Sequence, residues 1–190
     1  MRQHRAEAPL LHPLDTDRLV LRRFRADDAE PLFDYLHAPT ARCFLSLALP
    51  DLDAARAEAT RRGAEDDEHV AVCLKTTGQL IGDLFAMQED DTWSVGWNLN
   101  PRFGGQGYAV EAATALFDHL FAARGARRLY AYVEDHNRAS RRLCQKLGMR
   151  EEGLFLEFIS FIADGQGRPV YENTLQYAIL RKEWRGGPLA

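Results

Sequence analysis

Asn98-Leu99-Asn100-Pro101-Arg102-Phe103-Gly104-Gly105-Gln106-Gly107-Tyr108-Ala109 is the stretch on which the reading of this chain turns. Just before and into it, Ser94–Leu99 alternates Val95, Trp97 and Leu99 with Ser94, Gly96 and Asn98, a strand period that Pro101 stops. Just after it, Val110, Ala113, Phe117 and Leu120 recur at threes and fours, a helix period. The stretch is therefore a glycine-rich turn from a strand into a helix. The first N–H groups of a helix have no internal partner and carry partial positive charge. Glycines let the backbone approach a ligand and take up positive φ. Such a turn suits an anion, notably a pyrophosphate, and Arg102 adds charged donors nearby. A nucleotide phosphate loop would need Gly-Lys-Ser/Thr, and Gly107 is followed by Tyr108-Ala109, so that reading fails. A dinucleotide fingerprint would need a third glycine where Val110 stands, in a turn opening a parallel sheet, and fits poorly. The bland alternative is a tight turn without a ligand.

Working outward, Arg18 to Phe24 reads as a first strand. Asp27 or Asp28 caps a helix to about His37, ended by Pro39; Asp51 or Asp53 caps a second, closed by Gly63. Glu65 to Glu68 is an acidic loop. Val70–Leu74, Leu80–Met87 and Ser94–Leu99 form a meander with turns at Thr77-Gly78 and Glu89 to Asp91. The helix after the glycine turn ends at Gly125. Leu129–Val133 is a strand, and Ala139–Leu147 is a short helix stopped by Gly148. Gly153–Ile162 and Val170–Leu180 are long strands joined by the turn Asp164 to Gly167. The order is β-α-α-β-β-β-α-β-α-β-β, an α/β (α+β) class with a mixed sheet and helices packed on it.

The 190 residues suit one domain, and 46% hydrophobic with 27% charged residues is enough for a real core. The division expected is a flexible tail over 1–13, one domain over 14–184 and a C-terminal tail over 185–190. A net charge of -4 without a basic run gives no nucleic-acid footprint. Met1–Pro13 has no apolar run of a secretory signal, and no apolar stretch is long enough to span a bilayer. Cys43, Cys73 and Cys144 are odd in number and far apart, so neither a disulfide framework nor a zinc site is indicated; a cytoplasmic location is expected.

The turn resembles the signature of the GNAT acetyltransferase superfamily, Arg/Gln-x-x-Gly-x-Gly/Ala, at Arg102-Phe103-Gly104-Gly105-Gln106-Gly107, and its continuation through Ala112 is similar too. A second segment, Asn137 to Met149, looks like the family's Asn-x-x-Ser followed by Lys-Leu-Gly. Thr16-Asp17-Arg18-Leu19-Val20-Leu21-Arg22 and Tyr177 to Trp184 resemble one branch, the RimJ/RimL-like ribosomal-protein N-terminal acetyltransferases. Four ordered motifs cover about Leu14 to Trp184.

The resemblance implies a mostly antiparallel six- to seven-stranded sheet with a V-shaped splay between two parallel strands, Ser94–Leu99 and Leu129–Val133. Acetyl-CoA is the implied cosubstrate, lying in that splay and donating to an amine by direct attack in a ternary complex. Its implied contacts are Trp97, Leu99, Arg102, Gly104, Gly105, Gln106, Gly107, Tyr108, Ala109, Asn137 and Ser140. A backbone N–H near Leu99 would polarise the thioester. Ser140 is the implied proton donor to the thiolate, although it also reads as a helix cap with Asn137. Many family members carry Glu where Ser94 stands, and the branch often has Arg at Leu156 and Asp at Asn173. Glu134, Asp135, His136 and Glu157 are left as candidate bases, with Glu134 read as catalytic beside Ser140, although a charged trio after a strand reads first as a solvated loop. A water relay is also open. The missing Glu motivates the alternative, a non-catalytic CoA-binding sensor or partner-binding domain. No metal is expected, and a homodimer is left open. Gly96 reads as room for the pantetheine arm or as a bulge. Trp93, Trp97, Phe155, Phe158 and Phe161 read as core before acceptor pocket, and Cys144 as a buried structural thiol.

Overall fold

The computed structural model describes residues 13–64 and 67–186. Nearly all of the expected N-terminal tail, Glu65 and Asp66 of the acidic loop and the last four residues lie outside the described residues. The elements in chain order are β1 (Leu14–Asp15), β2 (Leu19–Arg22), α1 (Ala29–Leu36), α2 (Leu52–Arg62), β3 (His69–Leu74), β4 (Leu80–Glu89), β5 (Thr92–Leu99), α3 (Tyr108–Ala122), β6 (Arg128–Glu134), α4 (Arg138–Lys146), β7 (Arg150–Ala163) and β8 (Pro169–Leu180). A 3-10 segment over Arg42–Leu47 links α1 to α2. The eight strands form one sheet in the order β1-β2-β3-β4-β5-β6-β8-β7. The count exceeds the expected six to seven because β1 is two residues paired to Val20 and Leu21, too short to leave a period in sequence.

Strand alternation sorts the sheet into two faces. Trp93 and Val95 of β5 and Leu129, Ala131 and Val133 of β6 turn toward α3, where they join Leu116, Phe117 and Leu120 in the larger core. Leu32, Leu36, Ala55 and Ala59 of α1 and α2 cover the opposite face through Ala71, Cys73 and Leu80. A buried ion cluster fastens this second layer. Arg62, 1% exposed, meets Asp83 of β4 at 3.2 Å and Glu58 at 2.7 Å, while the Tyr35 hydroxyl donates to Asp83 at 2.6 Å. Two charges buried this way hold geometry, because losing either one strands its partner away from water.

Every pairing is antiparallel except β5 with β6. That parallel pair joins only Thr92, Trp93 and Ser94 to Arg128, Leu129 and Tyr130. Beyond Ser94 the strands part, leaving backbone groups along a V-shaped opening; this is the splay that the family resemblance implies. Helix ends also follow their capping signals. Asp51 accepts from Ala54 N–H at 2.8 Å to start α2, and Gly148 takes φ 72° just past α4. Gly63 differs from a left-handed stop: its φ is -78°, and its value lies in close approach, since a Cβ there would sit 3.0 Å from the Phe24 carbonyl. Among the described residues no helix is long and apolar enough to cross a membrane.

Candidate active site

The glycine turn has the backbone that a phosphate cradle needs. Gly105 and Gly107 take φ 75° and 82°, a left-handed region in which a side chain costs about 1–2 kcal/mol. Gly107 is the residue before α3 and provides no side chain to cap the orphan N–H groups of Tyr108 and Ala109. A Cβ on Gly105 would meet nothing within 4 Å, so the turn is open on that side. Gly104, by contrast, is extended, at φ -65° and ψ 157°. The turn is clamped from behind by Arg18, which the family-like N-terminal motif contains but to which sequence reasoning gave no role. Its guanidinium donates to the Gln106 carbonyl at 3.0 Å and to Glu111 at 2.7 Å, and lies 4.5 Å from the Tyr108 ring centre. Thr16 donates to the same carboxylate at 2.6 Å, and these bonds hold the Glu111 carboxyl below its usual range against a desolvation that pushes it up. Arg102, expected to add charged donors at the turn, is largely exposed; its Nη1 pairs with Asp34 of α1 at 3.1 Å, and its backbone N–H donates to Asn100 Oδ1.

Past the splay point, β5, β6, α4, β7 and the Arg42–Leu47 segment enclose a cavity of about 300 Å³. Trp97, Glu134, Asn137 and Ser140 all line it, so four of the sequence-derived site residues converge. Leu99 and the glycine turn are not part of its wall; they lie beyond it at the end of β5. Asn137 caps α4 by accepting from Ser140 N–H at 3.1 Å. That frees the Ser140 hydroxyl, which accepts from the Trp97 indole N–H at 3.1 Å and keeps its own proton to donate.

Glu134 is not part of a solvated trio. It is 8% exposed, at the end of β6 on the face shared by Ser94, Tyr130 and Tyr132, opposite the face that packs on α3. The Asn137 amide reaches it at 3.5 Å. The Cys43 thiol hydrogen-bonds to Glu134 and is pushed up to about 12, first by burial and then by this carboxylate. Asp135 and His136 do diverge from Glu134: Asp135 accepts from the Asn173 amide at 3.0 Å, and His136 is more than half exposed. Glu157 is exposed and outside the cavity lining. It sits in a β7 bulge at φ 47°, its N–H donating to Asn173 Oδ1 at 3.0 Å. Asn173 thus needs both a donor and an acceptor, which explains asparagine where the related branch often has aspartate.

Three further expectations change. The space above Gly96 is filled by Phe85 from the neighbouring strand: a Cβ on Gly96 would lie 2.1 Å from its ring, so the glycine makes room for an aromatic wall. Of the five aromatics read as core, only Trp93 is fully buried; Phe155 and Phe158 are 37% and 48% exposed, and Trp97 and Phe161 line the cavity. Strand periodicity cannot tell a buried face from a cavity wall at a sheet edge. Glu172, which sequence reading missed, is buried beside Arg42 at 2.9 Å, on the same sheet face as Glu134. Its place two residues before Thr174, the partner of Glu134 across the ladder, was the available signal. Cys144 is fully buried with its thiol pushed up to about 12 by desolvation, as a structural thiol should be.

Comparison with known proteins agrees with this architecture. A model of the acetyltransferase (GNAT) domain family matches residues 18–150. The N-acetyltransferase YnaD of Bacillus subtilis is 28% identical over 173 residues, 90% of this chain and 98% of that protein. An acetyltransferase of the GNAT family from Bacillus anthracis superposes with a TM-score of 0.80 at 25% identity, over 90% of this chain and all of the other. Mycobacterium smegmatis RimJ, solved with CoA-disulfide, shares the fold at a TM-score of 0.68 and 20% identity, over 93% of each chain. With its family signature on the turn and its β5–β6 splay in place, the chain belongs to the GNAT family of N-acetyltransferases, whose members use acetyl-CoA.

Proposed function

We propose that this enzyme acetylates a primary amine by direct attack on acetyl-CoA, with Glu134 as the base and Ser140 as the donor to the departing thiolate. The observation that carries the reading is one cavity lined by both residues at the point where β5 and β6 part. The pyrophosphate is read onto Gly104, Gly105, Gln106, Gly107, Tyr108 and Ala109, and the pantetheine along Trp97, Leu99 and Asn137, where parted strands offer it backbone partners as another strand would. An alkylammonium with a pKa near 10 is cationic at neutral pH and must lose a proton before it attacks. Glu134 is a buried carboxylate on the acceptor face that can seat the ammonium and take or relay that proton. A Leu99 N–H would polarise the thioester oxygen. Ser140, hydrogen-bonded through Trp97, has its hydroxyl proton available for the sulfur. Because a thiolate of pKa about 8.5 already leaves readily, this donor contributes modestly. A buried Glu134 in place of the carboxylate absent at Ser94 favours this reading over a non-catalytic sensor.

Glu134→Gln tests the assignment. Free-thiol release with a panel of amines should show kcat lowered about a hundredfold, while acetyl-CoA affinity by calorimetry stays the same. Unchanged kcat would remove Glu134 as the base. A protein N-terminus and a small amine both satisfy this chemistry, and the reduced cysteines suit a cytoplasmic enzyme.

A further inference from the structure

The acceptor side of the cavity is apolar and aromatic, and it ends in a single carboxylate. Phe44, Leu47, Phe85, Tyr132 and Phe161 form its walls, and Glu134 is its one ionisable carboxylate among the described residues. The cavity lining offers no second carboxylate to another ammonium. Glu172, the other buried acid on this face, lies outside that lining; its Oε1 holds Arg42 at 2.9 Å and its Oε2 makes no hydrogen bond. The adjoining opening, which shares Glu134 and Asn137 with the cavity, is bordered by Arg138, His136 and the Glu172-paired Arg42, and it adds no further carboxylate.

The apolar surface continues out of the cavity. Tyr132, a wall of the cavity, also meets two outer rings: its ring centre is 6.0 Å from Phe155, edge-on, and 5.7 Å from Phe158, tilted, and those two are 5.0 Å apart. In a regular strand residues 155 and 158 would point to opposite faces. They meet because β7 is bulged here. Phe155 pairs with Thr174 and Ile159 with Glu172, so β7 spends four steps where β8 spends two. Glu157 takes the strained φ of 47° inside this bulge. Backbone strain of this kind costs about 1–3 kcal/mol and persists where the surroundings enforce it. Here it re-aims Phe158 onto an exposed aromatic shelf at the rim of the site.

We propose that the acceptor is a monocationic primary amine carried on a flat apolar body, its nitrogen at Glu134, its body between Tyr132 and the Phe44–Leu47 wall, and its far end on the Phe155–Phe158 shelf. This rests on the acetyltransferase reading above and narrows it to a substrate class. Polyamines, aminoglycosides and polar peptide N-termini lack the apolar body or carry charge that the cavity cannot pair.

The probes are 2-phenylethylamine, spermidine, kanamycin and a peptide beginning Ala-Ser. Binding of each to the CoA-saturated protein is measured by calorimetry, and turnover with acetyl-CoA by thiol release. The expected result is that 2-phenylethylamine binds at least tenfold tighter than the other three, and that Phe158→Ser weakens it at least fivefold with the acetyl-CoA Kd unchanged. Equal or tighter binding of spermidine, kanamycin or the peptide would overturn the proposal. So would a Phe158→Ser protein that binds 2-phenylethylamine normally but shifts from dimer to monomer in sedimentation, since the shelf would then belong to a second copy of the chain. Selective binding of 2-phenylethylamine without turnover would uphold the substrate class and count against the catalytic reading, so the two fail separately.

Discussion

The glycine turn is one unbroken run of sequence, Asn98 to Gly107, while the cavity wall is gathered from five separate places: the Arg42–Leu47 segment, β4, β5, β6 with α4, and β7. The turn works through backbone, with positive φ at Gly105 and Gly107 and N–H groups at the head of α3. The cavity works through side chains, and nearly every one depends on a neighbour's placement. A backbone site tolerates drift in its surroundings and is unforgiving at the glycines. A side-chain site tolerates few changes to its supporting layer. Substitutions in the two regions should therefore separate acetyl-CoA binding from acceptor chemistry.

The largest effect is expected at the turn. Gly105→Glu places a carboxylate where the pyrophosphate is read, and calorimetry should detect no acetyl-CoA binding. The fold should survive, with a cost of about 1–2 kcal/mol for the left-handed φ, since no atom lies within 4 Å of the new Cβ. Retained affinity in a folded variant would merge the two regions into one. On the cavity side, the Cys43 thiol gives a chemical contrast. With its pKa raised from 9.0 to about 12, its thiolate fraction at pH 8 falls by about a thousandfold, and alkylation by iodoacetamide should slow in proportion, recovering only as pH climbs toward 12. Glu134→Gln should speed it, since it removes the nearby negative charge. A rate equal to that of a free cysteine would mean that Cys43 is neither buried nor facing Glu134.

The supporting layer comes next. Arg62→Met leaves Asp83 buried without its cation and should cost about 3 kcal/mol in denaturant unfolding. Any kinetic change should fall on the acceptor KM and spare the acetyl-CoA KM, because Asp83 shares its face of β4 with Phe85, a wall of the cavity. The smallest effect is expected where the regions meet. Ser140→Ala should lower kcat by less than tenfold, and more for acceptors whose reaction is limited by thiolate departure. A hundredfold loss would make Ser140 an essential acid.

The same contrast explains what could be read from sequence. Gly105 and Gly107 carry their conformational demand in their own identity, and Asn137 and Ser140 carry a capping signal, so turn and α4 were legible, while the splay was legible only through the family resemblance. The strand and helix order followed from periodicity and capping at Asp51 and Gly148. Glu134 was legible as a residue but not as a buried one, because its burial comes from Cys43 and the Arg42–Leu47 segment, about ninety positions away. Phe155 and Phe158 read as core because the bulge at Glu157 breaks the period that such a reading assumes. Phe85 reaches the cavity only through the absence of a side chain at Gly96, a relation between two strands that neither strand shows alone. The Arg102–Asp34 pair was not legible because Asp34 lies on α1, far away in sequence.

The bond from the Trp97 indole to Ser140 also makes the protein its own indicator dye. Trp93 is sealed in the core, and Trp184 packs on Phe117 and Phe121 and donates to Asp118, both away from the cavity. Trp97 alone among the three borders the opening between β5 and α4. A pantetheine arm entering there competes for the Ser140 hydroxyl and changes the polarity around one indole only. Emission from this chain should therefore shift on mixing with CoA, and the shift should disappear in Trp97→Phe, giving a label-free optical readout of occupancy on the millisecond scale.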